Sequence, residues 1–538
     1  MAHTELHFRS DARERILHGA GALHDAVRIT LGPKARCVLI GQKWGAPVVC
    51  NDGVTIAKAI DLEDPQEALG ARMLREAAER TGSAVGDGTT TSTVLAYAIF
   101  ADGTRNVAAG ASAIDLKRGF DRGLRAAVAA LQGQSRPVTT RLEKAQVATI
   151  SAHNDVAIGE MVADAIERVG REGAITVEEA RGTETTLEVV EGMQFDRGYL
   201  SPYFVTDTAR MEAVLDEPLI LLSDQKISTV KDLLPTLEQV AKSGRALLIV
   251  AEDVDAEALA TLVVNRLRGV LSSVAVKTPG YGDRRRALLE DIATMSGGKV
   301  LSAELGVRLE NARLEDFGRA RRVIVGKDTT TIVGGGGAAD AVKARCEDLR
   351  RQVRETKSDY DREKLEERLA KLSGGVAVIR AGAPSEAEMK SRKEAFEDAI
   401  SATKAAVAEG IVPGAGLALL RCIEAVEAEA ASVNGDVRTG VLIVRRALEA
   451  PARQIADNSA LDDGVVVARM RAGSGFEGLD ASTGNYVDLL EAGIVDPTKV
   501  VRVALENAVS IAGMLLLAEA TLTEIPEPER ERPALEPA

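Results

Sequence analysis

The chain has 538 residues and a formal net charge of −14, and at roughly 150 residues per domain this length predicts three to four domains. An acidic surface repels phosphate backbones and anionic lipid, so we expect neither nucleic acid nor a membrane as a partner. Apolar residues make up 45% and charged residues 28% of the chain, which excludes general disorder.

Cysteine usage and the N-terminal sequence indicate a cytoplasmic protein. Cys37, Cys50, Cys346 and Cys422 are too scattered for a CxxC pair and too few for a disulfide framework. The N-terminus has no apolar signal segment, and no continuous run reaches the 18 apolar residues of a membrane span. We therefore expect reduced thiols and no secretion.

The first quarter of the chain predicts mainly helices. Apolar residues recur three and four positions apart in four segments, 12–29, 66–81, 92–102 and 115–131. Two short β-branched runs, 37–40 and 47–50, flank glycines and predict a hairpin.

The middle of the chain alternates strand-like and helical segments, which predicts an α/β domain. The strand-like segments are 175–177, 187–190, 219–222, 246–250 and 273–276, and the helical ones are 230–243, 256–268 and 284–295. Four glycines at 334–337 predict a flexible connector. The heavily charged residues 338–371 predict a solvated helical pair broken near 358–360.

Alanine-rich helical sequence returns after about residue 385. We therefore predict that one α-rich region is split in sequence by an inserted α/β domain. Prolines interleaved with Glu and Arg after residue 525 predict a disordered tail over 526–538.

The sharpest local signal is Gly86-Asp-Gly-Thr-Thr-Thr91, which runs directly into a predicted helix. The glycines allow close approach of a bound group, helix N-terminal amides and Thr hydroxyls bind phosphate oxygens, and Asp87 is a suitable Mg²⁺ ligand. A simple helix N-cap is the alternative. The chain has no Walker A sequence, which disfavours a P-loop enzyme, and no GxGxxG lies between a predicted strand and a predicted helix, which disfavours a Rossmann enzyme.

Several motifs together resemble one known family. They are Thr30-Leu-Gly-Pro-Lys34, Asp52-Gly53, Gly86 to Thr91, the sixteen residues 189–204, Ala251-Glu-Asp-Val254, residues 358–365, residues 374–379 and Asp496-Pro-Thr-Lys-Val500. Their order and spacing are those of the group I chaperonins, the GroEL family, and the resemblance covers residues 5 to about 525.

This resemblance implies a multidomain fold with three parts. A helical equatorial domain would be split into 1–136 and 411–525, and a small α/β intermediate domain into 137–191 and 375–410. An α/β apical domain, 192–374, would be inserted in the middle. The resemblance also implies a homo-oligomer of two stacked heptameric rings, a ring-capping co-chaperonin and non-native polypeptides as clients.

The resemblance further assigns a site for ATP and Mg²⁺, with K⁺ as a candidate second cation. The residues it implies around the phosphates are Thr30, Leu31, Gly32, Pro33, Asn51, Asp87, Gly88, Thr89, Thr90 and Thr91, with Asp87 on the metal. It places Ala415 and Asp480 beside the nucleotide and Asp496 at the ribose. Asp52 and Asp398 would orient the attacking water, although the residue pattern alone predicts Asp398 to be a solvated acid on the helix 391–409.

Client capture is likewise implied by the resemblance. The residues it assigns to the ring opening are Tyr199, Tyr203, Phe204, Leu234, Leu237, Leu259, Val263 and Val264. An apolar stripe of this kind is more often core. Gly192 and Gly375 would be hinges for apical movements.

Four positions depart from the family pattern: Asn51 replaces a Lys, Ala415 a Gly, Asp480 an Asn and His153 an Asn. The tail also lacks Gly-Met repeats. We expect weaker nucleotide affinity with hydrolysis retained, because the acids and the phosphate loop are present. The alternatives are a passive ring-shaped holdase whose nucleotide site has decayed and, with less support, a small-molecule phosphotransferase.

Overall fold

The computed structural model describes residues 4–41, 47–170, 173–180, 182–208, 210–280, 282–302, 309–356 and 358–524. The chain forms two compact units. Unit 1 joins Met1–Ala163 to Glu394–Ala538, and unit 2 is Asp164–Lys393. The finer division into three domains stays a prediction, and the predicted tail 526–538 lies outside the described residues.

The N-terminal elements follow the predicted pattern of helices and one hairpin. They are β1 (Thr4–Phe8), α1 (Arg9–Val27), β2 (Val38–Ile40), β3 (Val48–Cys50), α2 (Gly53–Ala59), α3 (Pro65–Val85), α4 (Thr89–Ala108), α5 (Ala113–Gln134), α6 (Arg141–Ser151) and α7 (Val156–Val169). Helices α3 and α5 begin at side-chain caps, because Asp64 and Ser112 accept hydrogen bonds from first-turn amides. Strands β2 and β3 pair antiparallel, as the β-branched runs predict.

The middle elements form two sheets and their covering helices. They are β4 (Ala174–Glu179), β5 (Thr186–Val190), β6 (Gly192–Phe195), β7 (Ala213–Asp216), β8 (Leu219–Ser223), α8 (Val230–Ser243), β9 (Leu247–Ala251), α9 (Ala256–Leu267), β10 (Ser273–Lys277), α10 (Asp283–Ser296), β11 (Val300–Leu301), β12 (Gly318–Val325), β13 (Thr330–Gly335), α11 (Ala339–Glu355), α12 (Asp359–Ser373), β14 (Val376–Ala381) and α13 (Glu386–Glu409).

The larger sheet of unit 2 has the strand order β10-β9-β8-β12-β13-β6, with β7 beside β12 and β11 beside β8. Strands β8, β9 and β10 are parallel and fully buried, apart from Lys277 at the end of β10, as strands linked by covering helices usually are. The small sheet has the order β4-β14-β5. The α/β character predicted for this region is present, although the sequence did not reveal β12.

The four glycines at 334–337 are not a flexible connector, so this prediction is wrong. Gly334 and Gly335 end β13, and a Cβ on Gly335 would lie 2.3 Å from the Met295 carbonyl oxygen. A Cβ on Gly337 would lie 2.1 Å from the Thr294 carbonyl oxygen. Glycine is required here because the strand packs directly on the end of α10.

The C-terminal elements complete unit 1. They are β15 (Ile411–Pro413), α14 (Leu417–Arg421), α15 (Ile423–Ala431), α16 (Gly435–Ala447), α17 (Ala450–Asn458), α18 (Asp463–Ala472), β16 (Glu477–Asp480), β17 (Asn485–Asp488), β18 (Val495–Pro497), α19 (Thr498–Leu517) and β19 (Ala520–Glu524). Strand β19 pairs antiparallel with β1, so the two ends of the described chain form one ribbon.

Helix α19 is, among the described residues, the one helix long and apolar enough to cross a membrane by length and composition. Its most apolar window is 61% buried within the protein, and the helix packs against α3, α4 and α5. This burial is typical of a core helix. Leu505, Ala508 and Ala512 on α19 belong to the main hydrophobic core of unit 1.

Candidate functional site

Unit 1 contains a cavity of about 820 Å³ whose walls come from distant parts of the sequence. All fifteen residues predicted around the nucleotide line it. They are Thr30, Leu31, Gly32, Pro33, Asn51, Asp52, Asp87, Gly88, Thr89, Thr90, Thr91, Asp398, Ala415, Asp480 and Asp496. The fold therefore brings together segments that are separated by more than 400 positions in the chain.

The N-terminus of α4 opens onto this cavity. Its N-cap residue, Gly88, has a left-handed φ of +76° and provides no side-chain cap. The first amides of any helix lack intrahelical acceptors, so those of Thr89, Thr90 and Thr91 are available to a ligand. An uncapped helix N-terminus is an anion-binding site through its free amides and its dipole.

Neither glycine of the Gly86–Gly88 turn tolerates a side chain. A Cβ on Gly86, where φ is +71°, would lie 2.2 Å from Cβ of Ser401. A Cβ on Gly88 would lie 2.7 Å from Cγ1 of Val500. The turn is thus fixed by contacts to the C-terminal half of unit 1.

A second wall is the turn at Thr30–Pro33, which is held to α4 and α17 by hydrogen bonds. The Thr30 and Thr90 hydroxyls lie 2.9 Å apart. The Asn458 side-chain amide donates to the Leu31 carbonyl oxygen at 2.8 Å and to the Arg28 carbonyl oxygen at 3.0 Å. These bonds connect the two predicted phosphate-binding loops.

Three carboxyl groups in the cavity have raised pKa values. Burial raises the pKa of Asp87, although its hydrogen bonds from the Gly88 amide and the Ser151 hydroxyl oppose the shift. Burial, together with the charges of Asp87 and Asp52, holds the pKa of Asp398 well above its usual range. Burial and the Asp87 charge raise the pKa of Asp496 to about 7. Such a cluster favours a bound cation, which would relieve the repulsion between carboxylates.

Asp52 is held differently. It is the N-cap of α2, and its carboxylate accepts hydrogen bonds from the Val54 and Thr55 amides at 3.3 Å and 2.7 Å. Its orientation is therefore set by the helix that follows it.

The carboxylates do not form a metal centre by themselves. Over the described part of the chain, no group of three or more His, Cys, Asp or Glu side chains is arranged to hold a metal ion. This pattern fits Mg²⁺, which commonly binds through one or two carboxylates together with substrate phosphates.

Two of the departures from the family pattern have clear local effects. Ala415 adopts a left-handed φ of +53° in the cavity wall. Asp480 accepts hydrogen bonds from the Ser482 amide and from the hydroxyls of Ser482 and Thr483. Burial tends to raise the pKa of Asp480, but these bonds lower it overall, so this carboxylate is engaged in closing its own turn.

The cavity also has lining residues that sequence reasoning did not assign to it. Ser151, at the end of α6, donates a hydrogen bond to Asp87 at 2.9 Å. His153, placed in the intermediate segment by the sequence, lines the same cavity. Ile455, Leu479 and Ile494 supply apolar wall. Nothing in the local spacing of these residues marks them, because only the tertiary fold brings them to the site.

The predicted client-binding residues differ in exposure. Tyr203, Leu234 and Val264 are exposed, and Tyr199, Leu259 and Val263 are partly buried. Phe204 is fully buried and Leu237 is 7% exposed. These last two side chains pack in the core of unit 2, so in this conformation they support the surface from below rather than line it.

Exposed apolar residues continue beyond the predicted set. Leu267 and Val270, at and just after the end of α9, are more than half exposed. Helix α9 also contacts the short turn that carries Tyr203, since the Arg266 guanidinium donates to the carbonyl oxygens of Tyr203 and Val205.

The two predicted hinge glycines lie where the chain enters and leaves the small sheet of unit 2. Gly192 follows β5, and Gly375, with a φ of +66°, precedes β14. A Cβ on Gly192 would lie 2.3 Å from the Ile332 carbonyl oxygen, and one on Gly375 would lie 2.7 Å from the Val190 carbonyl oxygen. Both positions therefore require glycine in this conformation.

The model of the TCP-1/cpn60 chaperonin family matches residues 23–526. The chain belongs to the TCP-1/cpn60 chaperonin family. Chaperonin GroEL 5 of Bradyrhizobium diazoefficiens is 66% identical over 532 residues, which cover 99% of this chain and 98% of that protein. This level of identity identifies the chain as an ATP-dependent protein-folding chaperonin of the group I type.

Proposed function

We propose that the cavity of unit 1 is the ATP site of this chaperonin and that hydrolysis there drives capture and release of client proteins. The observation that carries the proposal is the convergence of fifteen separated residues on one cavity with an uncapped helix N-terminus. Chaperonins of the GroEL type are ATPases that use Mg²⁺. The carboxylate-rich wall fits a cation, and the α4 amides fit phosphate.

The residues divide into three roles. Thr30–Pro33, Asn51 and Gly88–Thr91 surround the phosphates, and Asp87 holds Mg²⁺, which withdraws charge from them when it is bound. Ala415 and Asp480 lie beside the nucleoside, with Asp496 at the ribose. K⁺ remains the candidate second cation, because the site is acidic.

Asp398 and Asp52 are the proposed catalytic pair. The raised pKa of Asp398 makes its carboxylate a stronger base than an exposed Asp, so it is suited to accept a proton from the attacking water. Asp52 is fixed by its two amide bonds and is suited to orient that water. Phosphoryl transfer from ATP to water depends mainly on positioning of the reacting groups and on electrostatic stabilisation of the transition state.

Client proteins bind to the exposed apolar surface of unit 2 formed by Tyr203, Leu234 and Val264, with Leu267 and Val270 beside them. Exposed apolar patches mark interaction surfaces, and non-native chains offer matching apolar segments. Rotation at Gly192 and Gly375 then withdraws this surface and encloses the client in a polar cavity. The client folds inside this cavity, so the activity belongs to the isomerase class.

The chain acts as a homo-oligomer in the cytoplasm, as two stacked heptameric rings with a ring-capping co-chaperonin. Exposed apolar strands of unit 1 support self-assembly. In the β1–β19 ribbon, Thr521 and Thr523 are buried, whereas Leu6, Phe8 and Leu522 are exposed. In the β2–β3 hairpin, Leu39 and Val49 face each other and are both exposed. Apolar two-stranded edges of this kind require a partner.

A passive holdase is the second candidate, and the composition of the cavity favours it. Asn51 is uncharged, the Ala415 methyl group narrows the cavity, and the lining is strongly acidic. Each of these features disfavours binding of an anionic nucleotide. A protein of this kind captures clients without releasing them when ATP is added.

Phosphate release from ATP, with the assembled protein at saturating Mg²⁺, tests the proposal. We expect steady turnover in the wild type and a loss of at least about 100-fold in Asp398→Ala, in line with removal of a general base. Glu388→Ala, on the same helix and outside the cavity lining, is the matched control and keeps turnover. An assembled wild type that captures a denatured client, hydrolyses no ATP and keeps its client after ATP addition establishes the holdase instead.

A further inference from the structure

The charged side chains in the wall of the proposed nucleotide cavity are acidic. Its lining contains six carboxylates: Asp52, Asp87, Glu160, Asp398, Asp480 and Asp496. Among the described residues of this lining there is no Lys or Arg, and His153 is the one basic side chain. A nucleoside polyphosphate is a polyanion, so an added positive or donor group in this wall has a large effect on binding.

The backbone around His153 is held in an unusual conformation. His153 and Asn154 are consecutive non-glycine residues with left-handed φ values of +54° and +68°. Their turn joins α6 to α7 and is closed by two backbone bonds, from the Asn154 amide to the Thr149 carbonyl oxygen at 2.8 Å and from the Asp155 amide to the Ala152 carbonyl oxygen at 3.0 Å. Non-glycine residues in this conformation are uncommon, and they are concentrated at functional sites.

This turn lies at the phosphate end of the cavity. Ser151, two residues before His153, donates to the Asp87 carboxylate, and His153 lines the same cavity. Asp87 in turn directly precedes the N-cap of α4, whose free amides face the cavity. His153 is therefore within electrostatic range of the group that begins the phosphate-binding helix.

We propose that His153 binds the phosphate groups of the nucleotide and is the basic side chain that this acidic wall offers them. The inference rests on the proposed function of the cavity as an ATP site. An imidazole N–H donates a hydrogen bond in either protonation state, so the contact does not require a charged ring. In this chain His153 supplies the donor that a cation at position 51 would otherwise provide.

The test is calorimetric titration of the assembled protein with ADP and with a non-hydrolysable ATP analogue at saturating Mg²⁺. The variants are His153→Asn, Asn51→Lys and the double variant. Asparagine tolerates left-handed backbone, so His153→Asn removes the imidazole and keeps the turn. His18→Asn is the matched control, because His18 is exposed, pairs with Glu67 and does not line the cavity.

We expect His153→Asn to weaken binding of the ATP analogue by about ten-fold or more, since hydrogen bonds to charged groups are among the stronger ones. Asn51→Lys should tighten binding, and in its presence the His153→Asn effect should shrink to about two-fold, because both groups serve the same phosphates. His18→Asn should bind like the wild type.

Two negative results have different meanings. A wild type that binds neither nucleotide contradicts the proposed ATP site itself. A wild type that binds both nucleotides, with His153→Asn within two-fold of it, overturns the role of His153 and leaves the ATP site intact.

Discussion

Ala415 has a left-handed backbone in the wall of the cavity, with a φ of +53°. Such a conformation costs a residue with a Cβ about 1 kcal/mol or more, whereas glycine adopts it freely. This strained residue lies inside the proposed nucleotide site, where its methyl group also narrows the space for a ligand.

We expect Ala415→Gly to have two effects. The free energy of unfolding should rise by roughly 0.5–1 kcal/mol, because the relief of strain exceeds the entropy that glycine adds to the unfolded chain. Nucleotide binding should tighten as well, because the methyl group is removed from the wall. Urea denaturation and calorimetric titration measure the two effects separately.

The chain provides a matched control for this change. Ala460 also has a left-handed φ, of +57°, but it is exposed and does not line the cavity. Ala460→Gly should therefore raise stability by a similar amount and leave nucleotide affinity unchanged. Equal gains in affinity from both variants would show that the Ala415 methyl group is not an obstacle to the ligand.

At the scale of elements, unit 1 is held together by helices that cross at glycines. A Cβ on Gly119 of α5 would lie 2.2 Å from the Val437 carbonyl oxygen, and a Cβ on Gly440 of α16 would lie 2.2 Å from the Leu116 carbonyl oxygen. Gly19 of α1 and Gly70 of α3 have the same reciprocal relationship, at 1.8 Å and 2.0 Å from the opposite backbone. At both crossings the two backbones are in direct contact.

The crossing of α5 and α16 therefore predicts opposite effects for two substitutions on one helix. Gly119→Ala should lower the free energy of unfolding by roughly 2–3 kcal/mol, because the added methyl group forces the backbones apart. Gly133, near the end of α5, has nothing within 4 Å of its Cβ position, so Gly133→Ala should raise stability by about 0.5–1 kcal/mol. Urea denaturation of the protein, followed by fluorescence or circular dichroism, measures the free energy of unfolding of both variants. A loss of stability in both would contradict the direct backbone contact of α5 and α16 at Gly119 as the cause.

The predictability of each element depended on whether its signal was local. Helix α8 occupies the predicted residues 230–243 because its apolar periodicity is complete within the segment. Strand β12 was missed, since Arg319, Arg321 and Arg322 interrupt its apolar pattern. The pairing of β1 with β19 joins residues about 500 positions apart, and no local pattern indicates it.

The candidate site shows the same limit. The amino-acid pattern around Gly86–Thr91 by itself indicates either phosphate binding or a simple helix N-cap, because helix capping and glycine turns are local features. Asp398 looked like a solvated acid on its helix, and its neighbours Asp87 and Asp52 become visible only in the fold. The resemblance to chaperonins implies roles that the residue pattern leaves open, and it marks His153 as a departure from the family pattern without assigning it to the cavity.

At the scale of the whole molecule, exposed apolar side chains lie both on paired strands and on helices. In the β2–β3 hairpin of unit 1, Leu39 and Val49 are directly opposite each other and about two-thirds exposed. On α8 of unit 2, Leu234 is 50% exposed. Strand edges pair with other strands of fixed register, whereas helix faces with scattered apolar side chains accept varied apolar segments.

Single charges on these two surfaces should separate assembly from client capture. Leu39→Glu should dissociate the oligomer, because a carboxylate cannot be desolvated beside Val49 at a strand interface. Leu234→Glu should leave the oligomer and its ATP turnover in place and reduce capture of a denatured client by at least about ten-fold. Light scattering after size exclusion measures assembly, and co-elution of labelled client measures capture.

Each variant is the control for the other, since both replace an exposed leucine with glutamate. Loss of assembly in Leu234→Glu would mean that the helix surface of unit 2 is a subunit contact rather than a client surface. If Leu39→Glu still forms oligomers, the β2–β3 hairpin is not the subunit contact. The β1–β19 ribbon, with its exposed Leu6 and Leu522, is then the next strand surface to test.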